Sequence, residues 1–232
     1  MSTIWVATAL FDAKISSAEI PYLRGNMIRL SGDDPLFHNH HGEKFYYTYP
    51  LVQYKRINGH AALIGINQGA EALTQLLGKK ASYSFQLGNR TADMGATTIR
   101  SEEFTVTSGD SAYTYSIDRW LPLNKENYQT FLQTESMVKR IVMLEKILVG
   151  NILSFGKGVG IFFEHPVTCQ ISQLESSGLI NYKGVELTGF SVKFRCNTSL
   201  PEYIGLGKSV SIGNGVVRNI NKKDTYGSGE RC

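Results

Sequence analysis

Residues 4–30 read IWVATALFDAKISSAEIPYLRGNMIRL. The first eight, Ile4 to Phe11, form an apolar run with β-branched and aromatic members, which predicts a buried strand. After a polar break, Ser16-Ser17 opens a stretch in which apolar residues recur at helical spacing as far as Leu30. The chain therefore begins with a strand followed by a helix.

The remainder of the first half is rich in strand patterns. Alternation, β-branched content and turn residues indicate these elements. In chain order, they are a strand over Phe45–Arg56, a hairpin turn at Asn58-Gly59, a strand over His60–Ile66, a short helix over Gly69–Leu77, and strands over Thr97–Thr107 and Ala112–Trp120 joined by a turn at Ser108–Asp110.

The second half repeats the order of strands around a helix. Its predicted elements are a helix over Asn124–Phe155 that ends at Gly156–Gly160, and strands over Val167–Leu174, Leu179–Tyr182 and Val185–Asn197. Each half thus offers strand–helix–strand–strand material, which is typical of the ferredoxin-like motif. We predict an α+β protein of two tandem ferredoxin-like (RRM-like) modules with antiparallel sheets, over residues 1–120 and 121–232.

Composition argues against a membrane or secreted protein. The 232 residues are 42% hydrophobic, but the longest apolar region, Ile141–Phe163, is interrupted by charged residues and predicts no transmembrane helix. No Lys or Arg precedes the first apolar stretch, so we expect no secretory signal. Cys169, Cys196 and Cys232 are odd in number and far apart, which favours reduced thiols in a cytoplasmic protein.

The net charge of +4 is concentrated in the second half. Residues 1–118 carry 10 basic and 11 acidic side chains, whereas residues 119–232 carry 14 and 9. The segment 183–223 holds seven basic side chains against two acidic ones. It is a candidate surface for a polyanion, and an ordinary solvated sheet face explains the charges equally well.

The densest chemical cluster is FHNHHGEK at residues 37–44. His38, His40 and His41 lie within four positions on a polar stretch, and an imidazole can accept or donate a proton near neutral pH. Two such groups beside a cation are what cleavage of RNA by its own 2′-hydroxyl requires. Lys44 and the phenols of Tyr46 and Tyr47 are local candidates for stabilising the phosphorane.

Other interpretations of the histidine cluster stay open. A metal site, as in a metal-dependent hydrolase, would need further ligands from Glu43, Asp33 or Asp34. A surface loop that carries histidines by chance is the simplest alternative.

A second candidate site is the glycine-rich loop over residues 205–215. A phosphate-binding loop of the NTPase type is disfavoured because Glu202 stands where its first glycine would fall. Bare backbone beside a lysine can nevertheless approach a phosphodiester closely. The residues of this loop that we expect to bind RNA are Gly205, Gly207, Lys208, Gly213 and Gly215, and a plain hairpin is the alternative.

Four stretches together resemble a known family, the CRISPR-associated repeat-RNA endoribonuclease that forms the sixth-numbered Cas family, in its b-like subtype. They are residues 37–55, Ala62–Leu73, Ile152–Gly160 and the C-terminal glycine loop. The loop departs from the usual family ending in having Asn214, rather than an aromatic residue, between its last two glycines.

The resemblance implies two ferredoxin-like domains and metal-independent cleavage of the repeat without a cofactor. It implies products with a 2′,3′-cyclic phosphate, or its precursor, and a 5′-hydroxyl. The general acid/base falls on His40 with His38 as its partner, Lys44 and Tyr47 take supporting positions, and His41 is an alternative match.

Partners follow from the same resemblance. CRISPR repeat RNA is the expected substrate, and a homodimer and CRISPR effector subunits are further expected partners. On the second module we expect RNA contacts from Lys193, Arg195 and Arg218, beside the glycine loop. The alternative function is a non-catalytic RNA-binding subunit of a CRISPR ribonucleoprotein, which the basic excess would serve equally well.

Overall fold

The computed structural model describes residues 2–38, 40–41, 44–45, 49–182 and 184–222. The chain divides into two compact units. The N-terminal unit consists in the main of Thr3–Thr105 with Ser211–Gly213, and the C-terminal unit of Val106–Val210 with Asn214–Asn221. The glycine-rich loop over residues 205–215 is therefore divided between the two units.

The N-terminal unit is built on a five-stranded sheet in the order β4-β5-β1-β7-β6. The pairs β1–β5, β4–β5 and β6–β7 are antiparallel, and β2 and β3 form a separate antiparallel pair. The elements are β1 (Ser2–Lys14), a 3-10 turn (Ser17–Glu19), α1 (Ile20–Leu30), α2 (Pro35–His38), β2 (His40–His41), β3 (Lys44–Phe45), β4 (Val52–Ile57), β5 (His60–Ile66), α3 (Gln68–Leu77), β6 (Ser82–Leu87) and β7 (Arg90–Val106).

The core of this unit lies between its sheet and helices. Phe11 on β1, Leu63 on β5, Leu23 and Met27 on α1 and Leu73 on α3 are all fully buried in one cluster. Burial of each such side chain contributes about 1.5–3 kcal/mol to folding. The apolar spacing that predicted the first helix is thus the face that α1 turns toward the sheet.

The hairpin predicted at Asn58-Gly59 is confirmed. Ile57 pairs with His60 across it, and the two turn residues have φ angles of 50° and 87°. A two-residue turn with both φ values positive matches the twist of the flanking strands, which explains the Asn-Gly sequence. The turn fixes β4 beside β5 and so places the strand that supports the histidine segment.

The C-terminal unit has a four-stranded sheet in the order β11-β8-β10-β9. The pairs β11–β8, β10–β8 and β10–β9 are all antiparallel. The elements are β8 (Ser108–Trp120), α4 (Lys125–Gln133), α5 (Met137–Val159), β9 (Cys169–Tyr182), β10 (Val185–Thr198) and β11 (Val216–Asn219).

One face of this sheet is covered by α5. The buried stripe of the helix includes Leu144, Leu148, Ile152 and Phe155. The indole Nε1 of Trp120 on β8 donates a hydrogen bond of 2.9 Å to Asn151 of the same helix. Both units therefore combine an antiparallel sheet with packed helices, and the prediction of two tandem ferredoxin-like modules is confirmed.

Several element boundaries differ from those predicted. The helix expected over Asn124–Phe155 is two helices, because Ser136 starts α5 as an N-cap that accepts from the Lys139 N–H. The strands expected on either side of residues 175–178 are one strand, β9. The turn predicted at Ser108–Asp110 is wrong, since these residues begin β8.

Contacts divide the units between Thr105 and Val106, whereas the sequence suggested a boundary at 120. β8 pairs with β10 and β11, so it belongs with the second sheet. Within the described part of the chain, no helix is long and apolar enough to cross a membrane.

Candidate functional site

The histidine cluster follows α1 and spans α2, β2 and β3. In the β2–β3 pair, His40 lies opposite Phe45 and His41 lies opposite Lys44. The structure thus brings the backbones of His41 and Lys44 together. The side chains of His40, His41 and Lys44, and the whole of Tyr47, lie outside the described residues.

His38 is the histidine of this cluster whose side chain is described. Its Nε2 lies 2.9 Å from the carbonyl oxygen of Asp33. A carbonyl only accepts, so Nε2 carries the proton and Nδ1 is the nitrogen that gains or loses one. The contact therefore fixes both the ring orientation and the tautomer of neutral His38.

Two side chains hold the backbone just before the histidine hairpin. The guanidinium of Arg24 on α1 donates from Nη2 to the carbonyl of His38 at 2.8 Å. The hydroxyl of Tyr54 on β4 donates to the carbonyl of Phe37 at 3.0 Å. Tyr54 is fully buried, and its burial raises the pKa of the phenol. Consecutive carbonyls are therefore anchored to a helix and a strand of the same unit.

The sequence carried a signal for Arg24 that our prediction missed. Positions 20, 23, 24 and 27 share one face of a helix, and Ile20, Leu23 and Met27 on that face are buried. A cation on a buried stripe needs a partner, and here the partner is a backbone carbonyl. The Nε of Arg24 is also buried, and no hydrogen-bond partner for it lies among the residues that the structure describes.

Lys55 on β4 is a second charged residue that the sequence analysis passed over. Its side chain is completely buried, and desolvation lowers its pKa to about 7. Because side chains alternate along a strand, Lys55 lies on the opposite face of β4 from Tyr54. Because β4 also contains Gln53 and Arg56, a charged residue in this strand did not stand out in the sequence.

The metal alternative depends mainly on residues whose side chains are not described. Among the described side chains, no three His, Cys, Asp or Glu come together as a metal-binding group.

The second candidate region is the face of the C-terminal sheet that points away from α5. Lys193 on β10 and Arg218 on β11 both pair in register with Ser116 on β8. Cross-strand partners share a face, so the two residues lie in one row. Their Cα atoms are about 10 Å apart, which is two strand spacings. Arg195 lies two residues further along β10 on the same face. We call Lys193, Arg195 and Arg218 the basic row.

The three members of the basic row differ in their surroundings. Lys193 forms an ion pair of 3.1 Å with Glu175, and the Arg218 guanidinium lies over the Tyr203 ring, 5.6 Å from its centroid. Arg195 is exposed. Arg195 is therefore the residue of the row that an arriving anion meets most directly.

Acidic neighbours moderate the charge of the row. Burial raises the pKa of Asp118, Arg218 opposes this shift, and Glu175 adds to it. Of the other basic residues in the segment 183–223, Lys222 is exposed, and Lys183 and Lys223 lie outside the described residues. The face is thus polar with a local cationic excess.

The glycine-rich loop owes much of its composition to packing. Gly205 forms an isolated bridge with Val216, and Gly213 and Gly215 are buried. At Gly215, with φ of 64°, a Cβ atom would overlap the carbonyl oxygen of Leu206. Glycine is required there because a side chain has neither the backbone conformation nor the space.

Gly207 and Lys208 are the more accessible part of this loop. A Cβ atom at Gly207 would lie 2.9 Å from the ring of Trp120. The Nζ of Lys208 donates to the carbonyl of Leu123 at 2.8 Å, and partial burial lowers the pKa of this lysine. Asn214 is buried and accepts from the Arg119 Nε at 3.4 Å, so it presents no stacking surface.

The fold and both candidate regions define a protein of two ferredoxin-like modules, with a histidine segment in one and a basic sheet face in the other. Residues 2–105 match the family model of the Cas6b N-terminal domain, and residues 107–220 match that of the Cas6b C-terminal domain. The chain belongs to the Cas6b family, which confirms the resemblance read from the sequence.

Solved structures and a sequence relative are similar over long stretches. A crystal structure of Cas6b is 25% identical with a TM-score of 0.83, covering 94% of this chain and 100% of that one. A crystal structure of the CRISPR RNA processing endoribonuclease Cas6b is 22% identical with a TM-score of 0.73, covering 95% and 100%. The uncharacterized protein MJ0978 of Methanocaldococcus jannaschii is 34% identical over 128 residues, which are 55% of this chain and 85% of that protein.

Proposed function

We propose that this protein is a metal-independent endoribonuclease that cleaves CRISPR repeat RNA in precursor transcripts to give guide RNA. The observation that carries the proposal is the match of both halves of the chain to Cas6b, joined to a histidine segment held by Arg24 and Tyr54. A similar solved protein is described as a CRISPR RNA processing endoribonuclease.

The reaction is an attack of the ribose 2′-hydroxyl on the adjacent phosphate. One histidine of the pair His38 and His40 removes the 2′-proton, and the other protonates the leaving 5′-oxygen. The products are a 2′,3′-cyclic phosphate and a 5′-hydroxyl. Lys44 and Tyr47 are assigned to the negative charge that develops on the phosphorane.

The contacts of His38 support a proton-transfer role. With Nε2 donating to the Asp33 carbonyl, neutral His38 accepts a proton at Nδ1, and protonated His38 donates from the same atom. The ring cannot rotate freely without losing this hydrogen bond. A general acid or base is effective only when its nitrogen is aimed at the reacting oxygen, so the orientation by Asp33 serves catalysis directly.

RNA binding is assigned to the basic row and to Lys208 with Gly207. The exposed guanidinium of Arg195 offers several donors to phosphate oxygens, and the sheet face around it is polar. Phosphate contacts of this kind release counterions, so the affinity should fall steeply as salt is raised. A homodimer and CRISPR effector subunits are the further partners that we propose.

The test compares the double variant His38→Ala/His40→Ala with the control His165→Ala, whose histidine is exposed before β9. Purified protein in excess EDTA should cut its cognate repeat RNA, and the control should match wild type. Acid/base groups contribute about 10² to 10⁴ in rate, so the double variant should cleave at least about 10²-fold more slowly than wild type.

Three results would count against this assignment. Loss of cleavage in EDTA that is restored by a divalent cation would favour the metal-dependent alternative. A double variant as fast as wild type would remove the histidines from the mechanism. Salt-sensitive binding without cleavage by wild type would indicate a non-catalytic RNA-binding subunit.

A further inference from the structure

Two cysteines face each other across the β9–β10 hairpin. Cys169 begins β9, and its register partner on β10 is Cys196. Just beyond them, the Asn197 N–H donates to the Thr168 carbonyl at 3.3 Å, which is one of the two backbone bonds of a hydrogen-bonded pair, while the Thr168 N–H donates to the Asn197 side chain. Bonded and non-bonded pairs alternate in antiparallel sheets, so the cysteines form a non-bonded pair with Cα atoms about 4.5 Å apart.

This backbone geometry suits a disulfide. Disulfides span Cα separations of about 4.4–6.8 Å, and side chains of non-bonded pairs approach most closely. The two residues also share one face of the sheet, so their Cβ atoms point the same way. Bond formation therefore needs side-chain rotation rather than movement of the strands.

The two thiols already interact. A hydrogen bond with the Cys169 side chain lowers the pKa of Cys196, whereas the same contact and burial raise the pKa of Cys169. The Sγ of Cys196 also lies 3.1 Å from the Thr198 carbonyl oxygen, to which the thiol donates. The two side chains are therefore close enough to interact in the folded protein.

Small reagents can reach the pair through a pocket of about 510 Å³ at the open end of the β9–β10 hairpin, opposite its turn. Both cysteines line it, together with Asp110 and Arg195. Cys169 is partly exposed, and Cys196 is 3% exposed. Because β9 is the edge strand of its sheet, no further strand covers Cys169 among the described residues.

We propose that Cys169 and Cys196 are a modification site at which hydrogen peroxide forms a reversible cross-strand disulfide. One thiolate of the pair attacks one peroxide oxygen and becomes a sulfenic acid, and the other oxygen leaves as hydroxide, which takes up the proton that this cysteine released. The other cysteine then attacks the sulfenic sulfur, and its proton leaves as water together with the hydroxyl of the sulfenic acid. Two thiols and one peroxide give one disulfide and two waters.

The test uses the folded full chain with Cys232→Ser, so that two cysteines remain. After treatment with hydrogen peroxide, both thiols should be lost from a thiol titration, and the monomer should become lighter by two hydrogen atoms. A peptide map without reductant should join the peptide that contains residue 169 to the one that contains residue 196. Dithiothreitol should restore both thiols.

The matched control adds Cys169→Ser, a change at a partly exposed strand end. This variant should form no internal cross-link after the same treatment. Separate oxidation of the two cysteines in the folded wild-type pair, cross-links only between molecules, or a cross-link that forms only in urea would each overturn the proposal. The readout is thiol chemistry, so it is independent of RNA cleavage.

Discussion

Replacing Arg24 with methionine removes the hydrogen bond to the His38 carbonyl while keeping most of the length of the side chain. The donor is a charged guanidinium at 2.8 Å, and the acceptor belongs to the residue that we assign to proton transfer. The loss should loosen the segment between α2 and the histidine hairpin. We expect slower RNA cleavage with a much smaller change in RNA affinity.

The size of this effect follows from the contact. A hydrogen bond that involves a charged group contributes about 1.5–3 kcal/mol. If this energy positions the histidine segment in the transition state, its loss slows cleavage about 10- to 150-fold, since about 1.4 kcal/mol corresponds to a factor of ten. The free energy of unfolding should fall by at most about 3 kcal/mol, the upper end of the same range.

The assay is single-turnover cleavage of repeat RNA at saturating protein, together with equilibrium binding. Arg29→Met is the matched control, because Arg29 lies on the same helix and donates at 2.9 Å to Asn26 instead of the histidine segment. The control should cleave at close to the wild-type rate. Urea unfolding of both variants shows whether each is folded under assay conditions.

Two outcomes would refute this reasoning. If Arg24→Met cleaves within about twofold of wild type, the carbonyl contact does not position the catalytic histidines. If the rate at saturation is unchanged and only the affinity falls, Arg24 binds RNA directly.

Further predictions concern the loop, the basic row and acid stability. Gly215→Ala should lower the free energy of unfolding by about 2–5 kcal/mol, because the left-handed backbone and the overlap with Leu206 both oppose a side chain. Arg195→Ala should reduce the slope of log affinity against log salt by about 0.7, the value for one phosphate contact on a single strand. Arg90 hydrogen-bonds to Glu19 and lowers its pKa from 4.5 to about 2, so the urea midpoint should fall as pH drops through this interval.

Each of these predictions has a matched control. Gly178→Ala, on β9 with no atom within 4 Å of an added Cβ, should leave stability nearly unchanged, and a loss equal to that of Gly215→Ala would contradict the packing argument. Lys139→Ala, which changes an exposed residue in the first turn of α5, should keep the wild-type salt slope; an equal drop would make the effect non-specific. Glu19→Gln should flatten the decline between pH 4.5 and 2, and an unchanged decline would assign it to other carboxylates.

Elements of the fold were predicted correctly where one or two residues determine the local backbone conformation. Asn58-Gly59 specified its hairpin because few other pairs adopt two positive φ angles. The strand β6 was missed although Tyr83, Phe85 and Leu87 alternate with polar residues in the required way. The break between α4 and α5 was missed although the apolar stripe begins only at Met137, directly after the N-cap residue Ser136.

The site was predictable only in part. Three histidines within four residues stand out by composition, and Arg24 on a buried helix face signals that it has a partner. The partners of His38 and Arg24 are backbone carbonyls, however, and the sequence does not specify which ones. The glycines of the loop suggested a backbone open to RNA. The structure instead fills the space beside Gly215 with the chain itself, a tertiary contact that local composition does not encode.

The most direct test of the proposed function is cleavage of a repeat RNA that carries one 2′-deoxynucleotide at the mapped scissile position. In excess EDTA, the protein should cut the unmodified RNA to a 2′,3′-cyclic phosphate and a 5′-hydroxyl, and it should leave the deoxy substrate intact although it binds it. Cleavage of the deoxy substrate at the same position, or products with a 3′-hydroxyl and a 5′-phosphate, would contradict a 2′-hydroxyl nucleophile activated by histidine.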